Sequence, residues 1–127
     1  MRHRWMTLLL AGSLVDIAAC AGRPPATGVS LAAPTLVTVR NDNWLDAVVY
    51  AVRGASRVRL GTVAGLSSAT LKAPSSYAPD GTFQLLVDPI GSSSVYMTDG
   101  FVVSPGQRVE LSIAPSLRMS SVAVWSR

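Results

Sequence analysis

The sequence predicts an all-β protein: an antiparallel β-sandwich of seven to eight strands with immunoglobulin-like architecture, set behind an N-terminal signal helix and a flexible tether. Three observations predict it. From Thr35 onward apolar residues recur with a period of two rather than 3.6. Clusters of Gly, Pro, Asn, Asp and Ser break that alternation at intervals of roughly 8–12 residues. No stretch after the signal segment carries a helical period.

Taken in order, residues 35–40 alternate, with Val37 and Val39 on one face, until Asn41-Asp42-Asn43 interrupts them with turn formers. Residues 47–53 are apolar on both faces, the mark of a central strand. Gly54-Ala55-Ser56 turns the chain into Arg57-Val58-Arg59-Leu60, basic outward and apolar inward, and these two strands make the clearest hairpin. Gly61 interrupts the second of them as a bulge does. Residues 68–73 form a short strand, with Ala69 and Leu71 inward and Pro74 as its stop.

A loop holding Tyr77, Pro79, Asp80 and Gly81 leads into a strand over residues 82–87, ended by Asp88-Pro89-Ile90-Gly91. Residues 95–98 and 101–104 flank Asp99-Gly100. Each half is too short to stand alone, so the pair reads as one kinked edge strand rather than a hairpin. Pro105-Gly106 turns into a strand over 107–113, with Val109, Leu111 and Ile113 on one face. A last strand over 121–125 places Trp125 as a residue that closes the core.

The first 34 residues follow a different grammar. Arg2, His3 and Arg4 make a basic start, and an apolar run of about eleven residues follows from Trp5 to Val15. That run is too short to span about 30 Å of hydrocarbon as a helix. Ile17-Ala18-Ala19-Cys20 resembles the bacterial lipobox, which implies cleavage that makes Cys20 the new N-terminus and lipidation of that residue. Asp16 departs from that pattern by placing a carboxylate at the end of the apolar run. The alternative is an ordinary secretory signal cut elsewhere, leaving a secreted sandwich without an anchor. Ala21 is not the Asp that retains lipoproteins at the inner membrane, which favours the outer membrane. Residues 20–34, rich in Gly, Pro, Ala and Ser, form the tether, and residues 35–127 the domain.

Composition narrows function by exclusion. Removal of the first 19 residues leaves 108 of the 127, one domain's worth. The sole His and the sole Cys belong to the signal and the lipidation site, so the mature domain lacks the base and thiol of the common hydrolytic triads. Its net charge of +3, once Arg2, Arg4 and Asp16 have left, marks no nucleic-acid surface. A Ser–Lys pair would have to use Lys72, which the alternation turns to solvent. Five of the six carboxylates, Asp42, Asp46, Asp80, Asp88 and Asp99, sit in or beside turns, where they cap backbone; Glu110 is the sixth. No calcium loop, zinc cluster or phosphate loop is spelled out, so neither metal nor cofactor is expected, nor an enzyme.

Val37-x-Val39-x-Asn41, Asp46, Val49-Tyr50, Arg53-Gly54, Arg59-Leu60-Gly61-x-Val63 and Pro105-Gly106-x-x-Val109-x-Leu111 together resemble small bacterial lipoproteins of uncharacterised activity. The resemblance spans most of the mature domain. It implies a lipid-anchored protein of the cell envelope, facing the periplasm or the exterior, that acts as an interaction or accessory module. Two surface features bear on its partners. Arg40, Arg53, Arg57 and Arg59 fall on strands expected to be neighbours, giving a basic strip for an envelope protein or an anionic envelope polymer. The same charges also guard strand edges. Trp44, Tyr77 and Tyr96 lie in or near loops, where they cap the core or, in the alternative, stack on sugar rings of an envelope glycan.

Overall fold

The structure is a computed structural model that describes residues 33–78 and 80–126; the signal segment, Cys20 and most of the tether lie outside the described residues. The strands are β1 (Thr35–Asn41), β2 (Ala47–Arg53), β3 (Ser56–Val63), β4 (Ser67–Ala73), β5 (Thr82–Pro89), β6 (Tyr96–Met97), β7 (Phe101–Val102), β8 (Arg108–Ile113) and β9 (Ser121–Trp125). Short 3-10 turns cover Ser75–Tyr77 and Leu117–Met119.

Sheet A runs β4-β1-β8-β9, and sheet B runs β3-β2-β5-β6 with β7 also on β5. The chain is therefore the all-β sandwich that the period of two predicts. Inward residues of the two sheets interdigitate: Val37, Val39, Leu111 and Ile113 from sheet A meet Val49, Phe83, Leu85 and Val87 from sheet B, all essentially inaccessible. Only every second residue contributes, so the alternation read from the sequence is the core itself.

Pairing is antiparallel with one exception. β1 and β8 lie side by side in parallel, Val37 opposite Val109 through Asn41 opposite Ile113. Both strands start at the same end of the sandwich, because every connection between them that changes sheet also reverses direction. The bulge expected at Gly61 is present: Gly61 faces Val49 and Arg59 faces Tyr50, which leaves Leu60 as the extra residue.

The kinked edge is also present. β6 and β7 pair in succession with β5, with a one-residue change of register between them. Thr98 fills the gap; its N–H donates to the Leu85 carbonyl at 2.9 Å. Its Oγ1 accepts from the Leu85 N–H at 2.9 Å. A side-chain hydroxyl thus replaces the carbonyl that the bulge turns away.

Strand directions sort the loops into two ends. The proximal end holds the start of β1, the 54–55 turn, residues 74–81 and residues 103–107. The distal end holds residues 42–46, 64–66, 90–95 and 114–120. One expectation fails here. Trp125 does not close the core: Val122 and Val124 point inward from β9, and the same alternation turns Trp125 outward, 57% exposed.

Candidate functional site at the distal loops

The distal end is organised by two asparagines that the sequence presents merely as turn formers. Asn41, the last residue of β1, is fully buried. Its Nδ2 donates to the carbonyls of Leu45 (2.9 Å), Ala64 (3.1 Å) and Val63 (3.3 Å). Its Oδ1 accepts from the Asn43 N–H at 3.0 Å. Asn43 repeats the pattern one step out. Its Oδ1 accepts from the Leu45 N–H at 2.9 Å, and its Nδ2 donates to the Pro115 carbonyl at 2.9 Å. No buried side-chain polar atom among the described residues lacks a partner. A buried amide network that is fully satisfied fixes geometry, since any displaced loop would strand a donor or acceptor.

Residues 42–46 are consequently a hub to which the other three distal loops are bonded. Leu66 N–H donates to the Asn43 carbonyl at 2.9 Å, Ile90 N–H to the Asp46 carbonyl at 2.7 Å, and Asp42 N–H to the Ile113 carbonyl at 2.8 Å. Asp46 Oδ1 accepts from the Gly65 N–H at 2.9 Å. Gly65 is a true requirement, because a Cβ there would run into the carbonyl of Trp44. The next residue, Leu66, holds φ of +56°, a left-handed conformation unusual for a bulky side chain.

Each loop of this rigid set carries a large apolar side chain into solvent. Trp44 is 82% exposed, Met119 76%, Leu66 75% and Ile90 55%. Beside the hub lies a groove of about 510 Å³, bordered by Leu45, Val95, Tyr96, Leu117 and Arg118. The Tyr96 hydroxyl titrates above its ordinary value, first because burial disfavours the phenolate and second because the Asp99 carboxylate repels it. The arrangement offers apolar contact area on a pre-ordered frame. Among the described residues, no group of three or more His, Cys, Asp or Glu side chains converges as a metal site.

The residues singled out from sequence divide between the two ends. Trp44 and Tyr96 both belong to the distal end, Trp44 displayed to solvent and Tyr96 half-buried against the core where it borders the groove. Tyr77 lies in the proximal 3-10 turn, half-buried against the core. The expected four-residue basic strip does not form. Arg53, Arg57 and Arg59 share the β2–β3 hairpin, but Arg40 belongs to sheet A, because the 42–46 loop carries the chain across to the other sheet.

Arg40 pairs with Asp42 at 3.0 Å on the surface, a contact worth under about 1 kcal/mol. Lys72, as expected, is exposed on β4. Asp80 caps its own turn by accepting from the Thr82 N–H at 3.1 Å, the turn chemistry read from the sequence. Sequence reasoning missed Leu66, Ile90 and Met119, which no pattern marks as displayed; the Gly65-Leu66 pair beside a turn is the nearest thing to a signal. Comparison of the chain with known protein families and with curated proteins finds no match.

Proposed function

We propose that this protein is a lipid-anchored, non-enzymatic contact module of the bacterial cell envelope, held by acyl chains on Cys20 and working through its distal loops. The single observation that carries the reading is polarity along the sandwich. The chain reaches β1 at the proximal end, and the apolar loop tips stand at the opposite end on a hydrogen-bonded frame. A module anchored through its N-terminus presents that end away from the bilayer. The tether of 14 residues before Thr35 can extend up to about 46 Å. Each buried acyl methylene contributes about 0.8 kcal/mol, so anchoring takes more than one chain.

The test is a pair of variants in the native envelope. Cys20→Ser moves the protein from the membrane fraction to the soluble one, and Trp44→Ala leaves it in the membrane but reduces its crosslinking to neighbours. Equal membrane association of wild type and Cys20→Ser contradicts the anchor and leaves the plainly secreted sandwich in its place.

A second reading, an envelope-glycan module, is favoured by one observation: Trp44 is displayed on the same distal loop whose Asn43 and Leu45 border the groove that Tyr96 also lines. Tryptophan fluorescence titrated with envelope polysaccharides decides between them, since stacking of a sugar on Trp44 shifts its emission and a protein-contact surface leaves it unchanged.

A further inference from the structure

The two outward faces of the sandwich differ in kind. On sheet A the outward row Thr70–Thr38–Glu110–Ala123 crosses all four strands, with Lys72 and Ser112 nearby. Apart from Leu36 and Trp125 at its proximal margin, that is the polar exterior expected of an antiparallel sheet with one face on the core. On sheet B the corresponding row is Arg59–Tyr50–Leu86–Met97. Val48 and Val52 flank Tyr50 along β2, and Val102 continues the row's edge on β7. Val48, Tyr50, Val52 and Leu86 neither belong to the core nor pack against it, and Met97 and Val102 are more than half exposed. β2 is thus apolar on both faces, as its sequence indicates, yet nothing among the described residues covers the second one.

The margin of this face is basic. Arg57 lies 4.9 Å over the Tyr50 ring, and Arg59 donates to Thr62 Oγ1 at 2.6 Å; Arg53 has the core-side parity of β2 and turns instead to the Ser76 carbonyl at 2.9 Å in the proximal loop. No carboxylate among the described residues forms an ion pair with Arg57 or Arg59. We propose that the outward face of sheet B is a docking surface for a protein segment whose apolar side is bordered by carboxylates, as an amphipathic acidic helix is. The patch is four strands wide and five residues long, about 19 by 17 Å, which is the length of a three-turn helix. Apolar rows accept the segment's apolar side, and the Arg57 and Arg59 guanidiniums along one margin fix its direction by pairing with its acids.

The form of the surface favours this occupant. Acyl chains need a groove, and the distal and proximal cavities are lined by none of Val48, Tyr50, Val52, Leu86 and Met97; only Val102, at the edge of the patch, borders the proximal one. A second copy would offer the same face with one carboxylate, Asp88, against two arginines. The surface is separate from the distal loops and independent of the anchor.

The test places a benzophenone photocrosslinker at Leu86 in the full chain, in its native cells, with the same group at Thr70 on sheet A as the control. The expected result is at least tenfold more crosslinked product from Leu86, mapped by mass spectrometry to a segment with apolar residues at helical spacing beside Asp or Glu. Arg57→Glu combined with Arg59→Glu is expected to lower that product at least tenfold without lowering the melting temperature of the domain. If the double variant fails to fold, Arg59→Glu alone serves, with a smaller loss expected. Equal yields from both faces, no product, product only with lipid or with another copy of the chain, a segment without acids, or indifference to charge reversal each overturns the proposal.

Discussion

Replacing Asn41 by Leu removes the hydrogen-bonding of the distal hub while keeping the branching and heavy-atom number of the side chain. In the wild type two amide hydrogens serve three carbonyls, those of Leu45, Ala64 and Val63, and the amide oxygen serves the Asn43 N–H. The carbonyls of Leu45 and Ala64 lie where water can replace the lost donor. The Val63 carbonyl and the Asn43 N–H do not, since both of those bonds are buried. A buried group left without a partner costs about 1–3 kcal/mol, so two such groups give a loss of about 2–6 kcal/mol. A domain of this size is stable by about 5–15 kcal/mol in all, and at about 4–8 °C per kcal/mol the loss lowers its melting temperature by at least about 8 °C. Urea unfolding followed by far-UV circular dichroism measures it, with an unchanged m-value expected because the core stays whole. A loss below about 0.5 kcal/mol would refute the claim that these amides hold the loops.

Two further outcomes follow from the same geometry. Leu66→Asn relieves a left-handed backbone that costs a Leu about 1 kcal/mol and forfeits little burial, so thermal unfolding should show a gain of about 0.5–1 kcal/mol; a loss of similar size contradicts the strain argument. Because the folded Tyr96 hydroxyl holds its proton more tightly than the unfolded one, its contribution is complete below the unfolded value near about 10 and is lost as pH rises past it. Melting curves at alkaline pH should therefore fall more steeply for wild type than for Tyr96→Phe, and parallel curves would count against a buried phenol.

Much of the fold was legible because alternation and burial are the same fact in a sandwich. Residues 47–53 and 121–125 occupy the strands their pattern marks, and Asp99-Gly100 interrupts one edge strand as its short halves indicate. What was not legible depends on partners distant in sequence. The parallel pairing of β1 with β8 joins residues about 72 apart, and no local pattern encodes it. Trp125 misled because its size suggests burial, whereas the parity of β9 decides its side. Asn41 and Asn43 look like ordinary turn residues. Their role rests on carbonyls supplied by residues 63–64 and 114–115, which come near only in the folded chain. Arg40 was grouped with Arg53, Arg57 and Arg59 by nearness in sequence, and the sheet crossing at residues 42–46 separates them.

The central claim, a contact module carried on an acylated Cys20, is tested most directly by mass spectrometry of the protein extracted from native membranes. The account predicts a mature chain whose first residue is Cys20 and whose N-terminal peptide carries the added mass of a diacylglyceryl group, with any further N-acyl chain. A mature chain that begins elsewhere, or that begins at Cys20 without lipid, would contradict it.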